Sequence, residues 1–140
     1  MSEFTASAEQ TVASGSNVLF TDTAVNGGKC IVHRSGSGLI TLRGLTNQCN
    51  ARFLIEYSGN IAIPTGGTVE EISLALAING EPIASSVMRV TPAAAGNYFN
   101  VSTSAYISVP SSCCLTVAVE NTSGQDILAE SSNIIVTRVA

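Results

Sequence analysis

Short runs of β-branched and aromatic residues recur along the chain between clusters of Gly, Asn, Pro and Ser, and the apolar positions almost nowhere follow the 3.6-residue period of a helix. This punctuation predicts an all-β sandwich. Candidate strands lie at 17–20, 29–33, 39–43, 51–58, 72–78, 86–90, 98–102, 105–109, 114–120 and 133–139, and about ten strands is the count of an antiparallel double-sheet jelly roll. Asn26-Gly27 and Asn79-Gly80 have the turn chemistry of two-residue hairpins, in which both central residues take positive φ. Proline and glycine at Pro64-Thr65-Gly66-Gly67, Thr91-Pro92 and Val109-Pro110 mark loops.

Alternation separates two faces in the fourth of these runs, where Phe53, Ile55 and Tyr57 interleave with Arg52, Leu54 and Glu56. Elsewhere both faces are apolar. Leu74, Leu76 and Ile78 alternate with Ala75 and Ala77, and Ile134 and Val136 flank Ile135, so a second chain is expected to cover one side. The first fifteen residues are rich in Ser, Ala, Thr and Glu without a clear period and are expected to form a flexible arm before a jelly-roll domain of residues 16–140.

Composition sharpens this picture. Only 11% of the 140 residues are charged and 45% are hydrophobic, too little polar material to cover a monomer, which points to oligomerisation. The net charge of −4 has the wrong sign for neutralising phosphates, so nucleic acid is not an expected partner. Neither is a membrane, because the apolar run at 73–78 stops at Asn79-Gly80, far short of a bilayer span. The first ten residues lack a basic and an apolar region of secretory type. Folding in a cytosol is therefore expected, with Cys30, Cys49, Cys113 and Cys114 reduced and serving as small hydrophobes.

Candidate chemistry is sparse. A nucleophile triad could draw only on His33, and no Gly-x-Ser-x-Gly elbow is present. Cys30 and His33 stand at i and i+3, positions that point to opposite faces of a regular strand, so a zinc site would need a bulge and help from Cys49. Vicinal Cys113-Cys114 lacks the spacing and helix terminus of redox thiols. Gly36-Ser37-Gly38 precedes a strand rather than a helix, and the adjacent carboxylates Glu70 and Glu71 diverge in an extended chain. Asn100-Val101-Ser102 and Asn121-Thr122-Ser123 match glycosylation acceptors, which matter only in a secreted eukaryotic protein. No catalytic residue, cofactor or metal is expected.

The order of motifs resembles the tumour necrosis factor and complement globular-head jelly rolls, above all their small bacterial and bacteriophage members, over about residues 16–140. Asn17-Val18-Leu19-Phe20 with Val25-Asn26-Gly27 resembles the opening strand and turn. Ser35-Gly36-Ser37-Gly38-Leu39-Ile40-Thr41-Leu42 resembles the small-residue turn that leads into an apolar strand, and 53–57 resembles the aromatic central strand. Residues 72–83 are similar to the strand, Asn-Gly turn and returning strand, and 134–140 to the terminal strand. In place of the Gly-Asp turn of animal members stands Pro110-Ser111-Ser112-Cys113-Cys114, so animal ligands and calcium sites are not carried over.

The resemblance implies a homotrimer, with Phe53, Tyr57, Tyr98 and Ile135 expected at the trimer interface. Small size, a short polar arm, few charges and the lack of a signal segment or catalytic set, taken with the resemblance, point to a virion protein: a capsid decoration protein assembled in the bacterial cytoplasm, with the major capsid protein or another virion protein as partner. Attachment is expected through Phe4, Glu9 and Val12 of the arm. The alternative is an adhesive or receptor-binding head on a phage fibre or spore surface, a role that usually comes with a repetitive stalk, of which this chain has none.

Overall fold

A computed structural model describes residues 1–27, 29–44, 50–111 and 114–140. Two six-stranded antiparallel sheets face each other. The first contains β1 (Ser2–Ala6), β2 (Gln10–Val12), β3 (Asp22–Val25), β6 (Asn50–Ala62), β10 (Phe99–Pro110) and β12 (Ile127–Arg138), in the order β10-β6-β12-β1-β3 with β2 also on β12. The second contains β4 (Ile31–His33), β5 (Ile40–Arg43), β7 (Ile72–Ile78), β8 (Glu81–Pro82), β9 (Met88–Val90) and β11 (Cys114–Asn121), in the order β4-β5-β11-β7-β8 with β9 on the free half of β7. The long pairings β10-β6, β6-β12, β12-β1 and β11-β7 join strands distant in sequence, so most of the sheet order comes from crossovers between layers, as in a jelly roll.

The core lies where the inward residues of both sheets interdigitate. Phe53, Ile55, Tyr57 and Ile61 of β6 meet Ile40, Leu42, Leu74, Leu76, Val117 and Val119 across the interior. Tyr57 carries the one hydroxyl among these side chains, and it bonds to Ser132 Oγ at 3.0 Å. Burial pushes the Tyr57 phenol up to about 12, and the Ser132 bond opposes the rise. The folded protein thus holds this proton more tightly than the unfolded chain does, so the associated stability is complete below pH 10 and disappears as pH climbs through about 12. Unfolding by denaturant at pH 9 and pH 12 should show the wild type losing about 2–3 kcal/mol more than Tyr57→Phe. Equal losses would contradict it.

Three expectations change. The N-terminal arm is not free: β1 pairs with β12 from Ser2↔Val136 to Ala6↔Ser132 and with β3 on its other side. Its alternation is Ser2, Phe4 and Ala6 inward against Glu3 and Thr5 outward. Two small residues in the buried set hide the period, and Ser2 is tolerated inside because its Oγ accepts the Gly27 N–H at 2.8 Å. Second, the two runs at 98–102 and 105–109 are one strand, β10, paired with β6 throughout its length. Third, Ala75 and Ala77 are buried within this chain, 0% and 1% exposed, and need no second subunit.

The two Asn-Gly pairs also part ways. Asn79 and Gly80 take φ of +50° and +86° between β7 and β8, as a two-residue hairpin turn demands. Asn79 Oδ1 further accepts the backbone N–H and the hydroxyl of Thr116 on β11. Asn26-Gly27 forms no such turn; Gly27 is required because the backbone of Met1 passes where a β-carbon would stand, 2.0 Å from its carbonyl oxygen. Segment 17–20 forms isolated bridges at Asn17 and Phe20, with the Val18 N–H bonded to Val119, the Phe20 N–H to Ser37, and the Leu19 N–H and carbonyl both bonded to the Gln10 side-chain amide.

Candidate self-association face

The inward set of β6 leaves Arg52, Leu54, Glu56, Ser58 and Asn60 on the outer side of the first sheet. Strand β10 adds Ser102, Ser104, Tyr106 and Ser108 beside them, and β12 adds Asn133, Ile135 and Thr137. Register fixes the rows across the sheet. Tyr106, Leu54 and Thr137 form one; Ser104, Glu56, Ile135 and Glu3 form the next; Ser102, Ser58, Asn133 and Thr5 form the third. The side chains of this face are exposed or half-buried.

Its relief follows from side-chain size. Short serines at 58, 102 and 104 stand next to the tall side chains of Tyr106 and Leu54, leaving an open concavity of about 410 Å³ bounded by Glu56, Ser58, Ser102, Ser104, Asn133 and Ile135. Asn133 donates to Glu3 Oε2 at 2.8 Å along one rim. Tyr106, 73% exposed, is the most exposed large apolar side chain of the described residues. The β12 bulge between Glu130 and Asn133, with Ser131 at φ +50°, turns Ser132 inward to Tyr57 and keeps Asn133 and Ile135 outward.

Charge is divided along the strands. Glu3, Glu56 and Glu130 lie toward one side and Arg52 at the other end of β6. Beyond them Tyr98 donates its phenolic hydrogen to Glu9. Partial burial, that bond and the negative charges of Glu9 and Glu130 together hold the Tyr98 phenol well above its ordinary value.

The residues expected at an interface divide accordingly. Ile135 lies on the open face and Tyr98 at its margin, half-buried. Phe53 and Tyr57, 0% and 2% exposed, belong to the interior of the sandwich, so neither side chain can meet a partner. Alternation reveals two faces but not which is inside, and the aromatic set is the inner one. Of the attachment residues, Phe4 and Val12 are core, at 3% and 2%, while Glu9 is exposed between β1 and β2. Tyr106, Glu56, Ser58, Ser102, Ser104 and Asn133 went unassigned. The signal for β10 was present in the spacing of Val101, Ile107 and Val109, which puts Tyr106 in the opposite set with the serines.

Of the remaining candidates, Cys114 is exposed at the start of β11 rather than packed as a small hydrophobe, while Cys30 and His33 are half-buried. His33 packs against Phe4 with ring centres 4.5 Å apart and the rings tilted by 42°, and its Nε2 donates to the Ser37 carbonyl at 2.8 Å. Cys30 Sγ receives Arg138 Nη1 at 3.6 Å. Cys49 and Cys113 lie outside the described residues. Among the described residues no three His, Cys, Asp or Glu side chains come together as metal ligands. Asn121 is 0% exposed and fully bonded, closed to glycosylation in the folded chain.

Solved structures share this architecture. The Eiger TNF of S. frugiperda superposes with a TM-score of 0.73 at 11% identity, over 99% of this chain and 91% of that one. The globular domain of zebrafish complement 1qA gives 0.59 at 12%, over 96% and 94%. Murine APRIL at pH 5.0 gives 0.59 at 7%, over 95% and 97%. The fold is thus a TNF/C1q-like jelly roll, as the motif order implied. The sequence matches no family model and no curated protein.

Proposed function

We propose that this chain is a non-catalytic structural protein that works as a homotrimer, decorating the capsid of a bacteriophage after assembly in the host cytoplasm. The observation that carries the self-association is the outer face of the first sheet, where Tyr106 is exposed and Leu54 and Ile135 are half-buried over three long strands. Three strands of 12–13 residues, at about 3.3 Å per residue and about 4.8 Å apart, span roughly 40 by 14 Å. That footprint, about 560 Å², falls at the low end of specific interfaces, below the roughly 800 Å² per partner of a standard one. The low charge of the chain and its TNF/C1q-like fold fit a trimeric head.

Decoration follows from avidity. Each trimer presents three copies of any contact, so weak contacts with a shell of capsid proteins add through high effective concentration. Binding to the expanded shell alone would stabilise it by linkage. Glu9 is the one arm residue of the three assigned to attachment that a shell could touch.

Antibody raised against this chain, applied to purified particles from the producing cells, is expected to label knobs at local threefold positions on the head. Labelling on a fibre or a spore coat would favour the adhesive alternative, which shares the trimer but not its place. Particles without label would contradict both.

A further inference from the structure

We infer that copies of this protein stack end to end, the basic end of one sandwich docking on the acidic end of the next. The contact uses the ends of the strands and leaves the sheet faces free, so it goes beyond the trimer proposed above and does not rest on it.

The cations gather where strands start or stop at one end. Lys29 precedes Cys30, whose carbonyl accepts the N–H of Arg43, the last residue of β5, at 2.8 Å. Cys30 Sγ also receives Arg138 Nη1 at 3.6 Å, so the last residue of β12 reaches from the first sheet to the second. Arg52, near the start of β6, is tied to the same end by the Val139 N–H on its carbonyl at 2.8 Å. Four of the six Lys and Arg residues of the chain therefore lie here. The carboxylate of Ala140, whose oxygen accepts Arg138 Nε at 3.3 Å, offsets one of these charges.

The opposite end is acidic. β12 begins beside Asp126, and the neighbouring Gln125 donates to Glu70 Oε1 at 3.1 Å. Glu71 follows, paired with Arg89 at 3.6 Å. Glu9 and Glu130 lie around the Tyr98 hydroxyl. Five of the ten Asp and Glu residues thus stand at this end, and Arg89 offsets one of them. Both sets reach solvent: Lys29, Arg43 and Arg52 are exposed at one end, Glu9, Glu70 and Asp126 at the other.

Distance keeps the two sets from neutralising each other within one copy. β12 runs twelve residues from the acidic end to the basic one, roughly 36 Å at about 3.3 Å per residue. Salt at physiological strength screens exposed charges beyond about 8 Å. A second copy placed end on brings together formal charges of opposite sign and similar size. The acidic end, being the other end of the same sandwich, also has the cross-section of the basic one. The two ends are different patches, so the contact is heterologous and adds copies along the strand direction without closing. Because the charges are exposed, added salt dissolves the stack.

Sedimentation equilibrium of the full chain at about 20 mM and about 0.5 M salt, where screening lengths are roughly 20 Å and 4 Å, tests the inference. The mass at high salt reads the unit that stacks, monomer or trimer, and so tests the trimer separately. At low salt the mass should rise at least about twofold above it, as an open head-to-tail contact requires. Lys29→Glu/Arg43→Glu and Glu70→Lys/Asp126→Lys each neutralise one end without touching the outer face of the first sheet, and circular dichroism checks that both are folded. Either variant alone should keep its high-salt mass at low salt. An equimolar mixture should rise again, because the first keeps an acidic end and the second a basic one. A wild type with the same mass at both salts overturns the inference, as does a variant that stacks like the wild type or a mixture that fails to rise. Retention of an unstacked wild type on a heparin column, lost in Lys29→Glu/Arg43→Glu, would overturn it in favour of a polyanion at the basic end.

Discussion

Deletion of residues 2–14 is expected to leave no folded protein, rather than a folded head without an arm. β1 is an interior strand with β12 on one side and β3 on the other, so its loss strands two ladders at once. Phe4 and Val12, 3% and 2% exposed, leave the core with it, and Phe4 is the ring against which His33 packs. Truncating a buried Phe alone costs about 3–5 kcal/mol. Together with Val12 and the ladder, the loss approaches the whole net stability of a domain, about 5–15 kcal/mol. Far-ultraviolet dichroism and a thermal melt decide it, and a truncated chain that melts cooperatively near the wild-type temperature would contradict this account of β1.

The second large effect is expected at Asn121, the best-satisfied buried polar side chain. Its Nδ2 donates to the carbonyls of Val12 and Gln125, both at 2.9 Å, and its Oδ1 accepts the Ser123 N–H at 2.9 Å. One side chain thereby joins β2, β11 and the loop before β12. Asn121→Ala would orphan two carbonyls and one N–H, those of Val12 and Ser123 buried and that of Gln125 half-buried. Each orphan costs about 1–3 kcal/mol, and the effects do not add fully, so about 3 kcal/mol is expected. Asn121→Asp should fare no better, because a carboxylate can keep the Ser123 bond but faces the two carbonyls without a proton to give. Urea midpoints of the three proteins provide the measurement. A shift under about 0.5 kcal/mol for Asn121→Ala, the range of an ordinary surface change, would show that the network carries no stability.

The sheets were legible where hydrophobic contrast is strong. β6 and β7 announce themselves through large alternating side chains, and Asn79-Gly80 through backbone geometry that few other residues adopt. β1 was not legible because Ser2 and Ala6 fill two of its three buried positions, a pattern indistinguishable from a polar tail. β10 appeared broken at Thr103 and Ser104 because an exposed serine in a strand looks like a loop residue until its partner strand is known.

The face itself was only half visible. Sequence periodicity divides Phe53 and Tyr57 from Leu54 and Glu56, but which set is inside depends on the sheet packed opposite, a nonlocal fact. Assigning the aromatic set to an interface inverted the faces of β6. Ile135 escaped the error because its neighbours Ile134 and Val136 are the ones that the core takes. Asn26-Gly27 shows the same limit from another side, since its glycine answers to the backbone of Met1, 26 residues away in the chain.

The claim on which the functional account depends is that the open face of the first sheet joins three copies. Sedimentation equilibrium of the purified full chain at micromolar concentration tests it most directly. A mass of about 43 kDa, three times the 14.4 kDa chain, is the predicted result. A mass of 14.4 kDa across that range, or a dimer of twice it, would contradict the account.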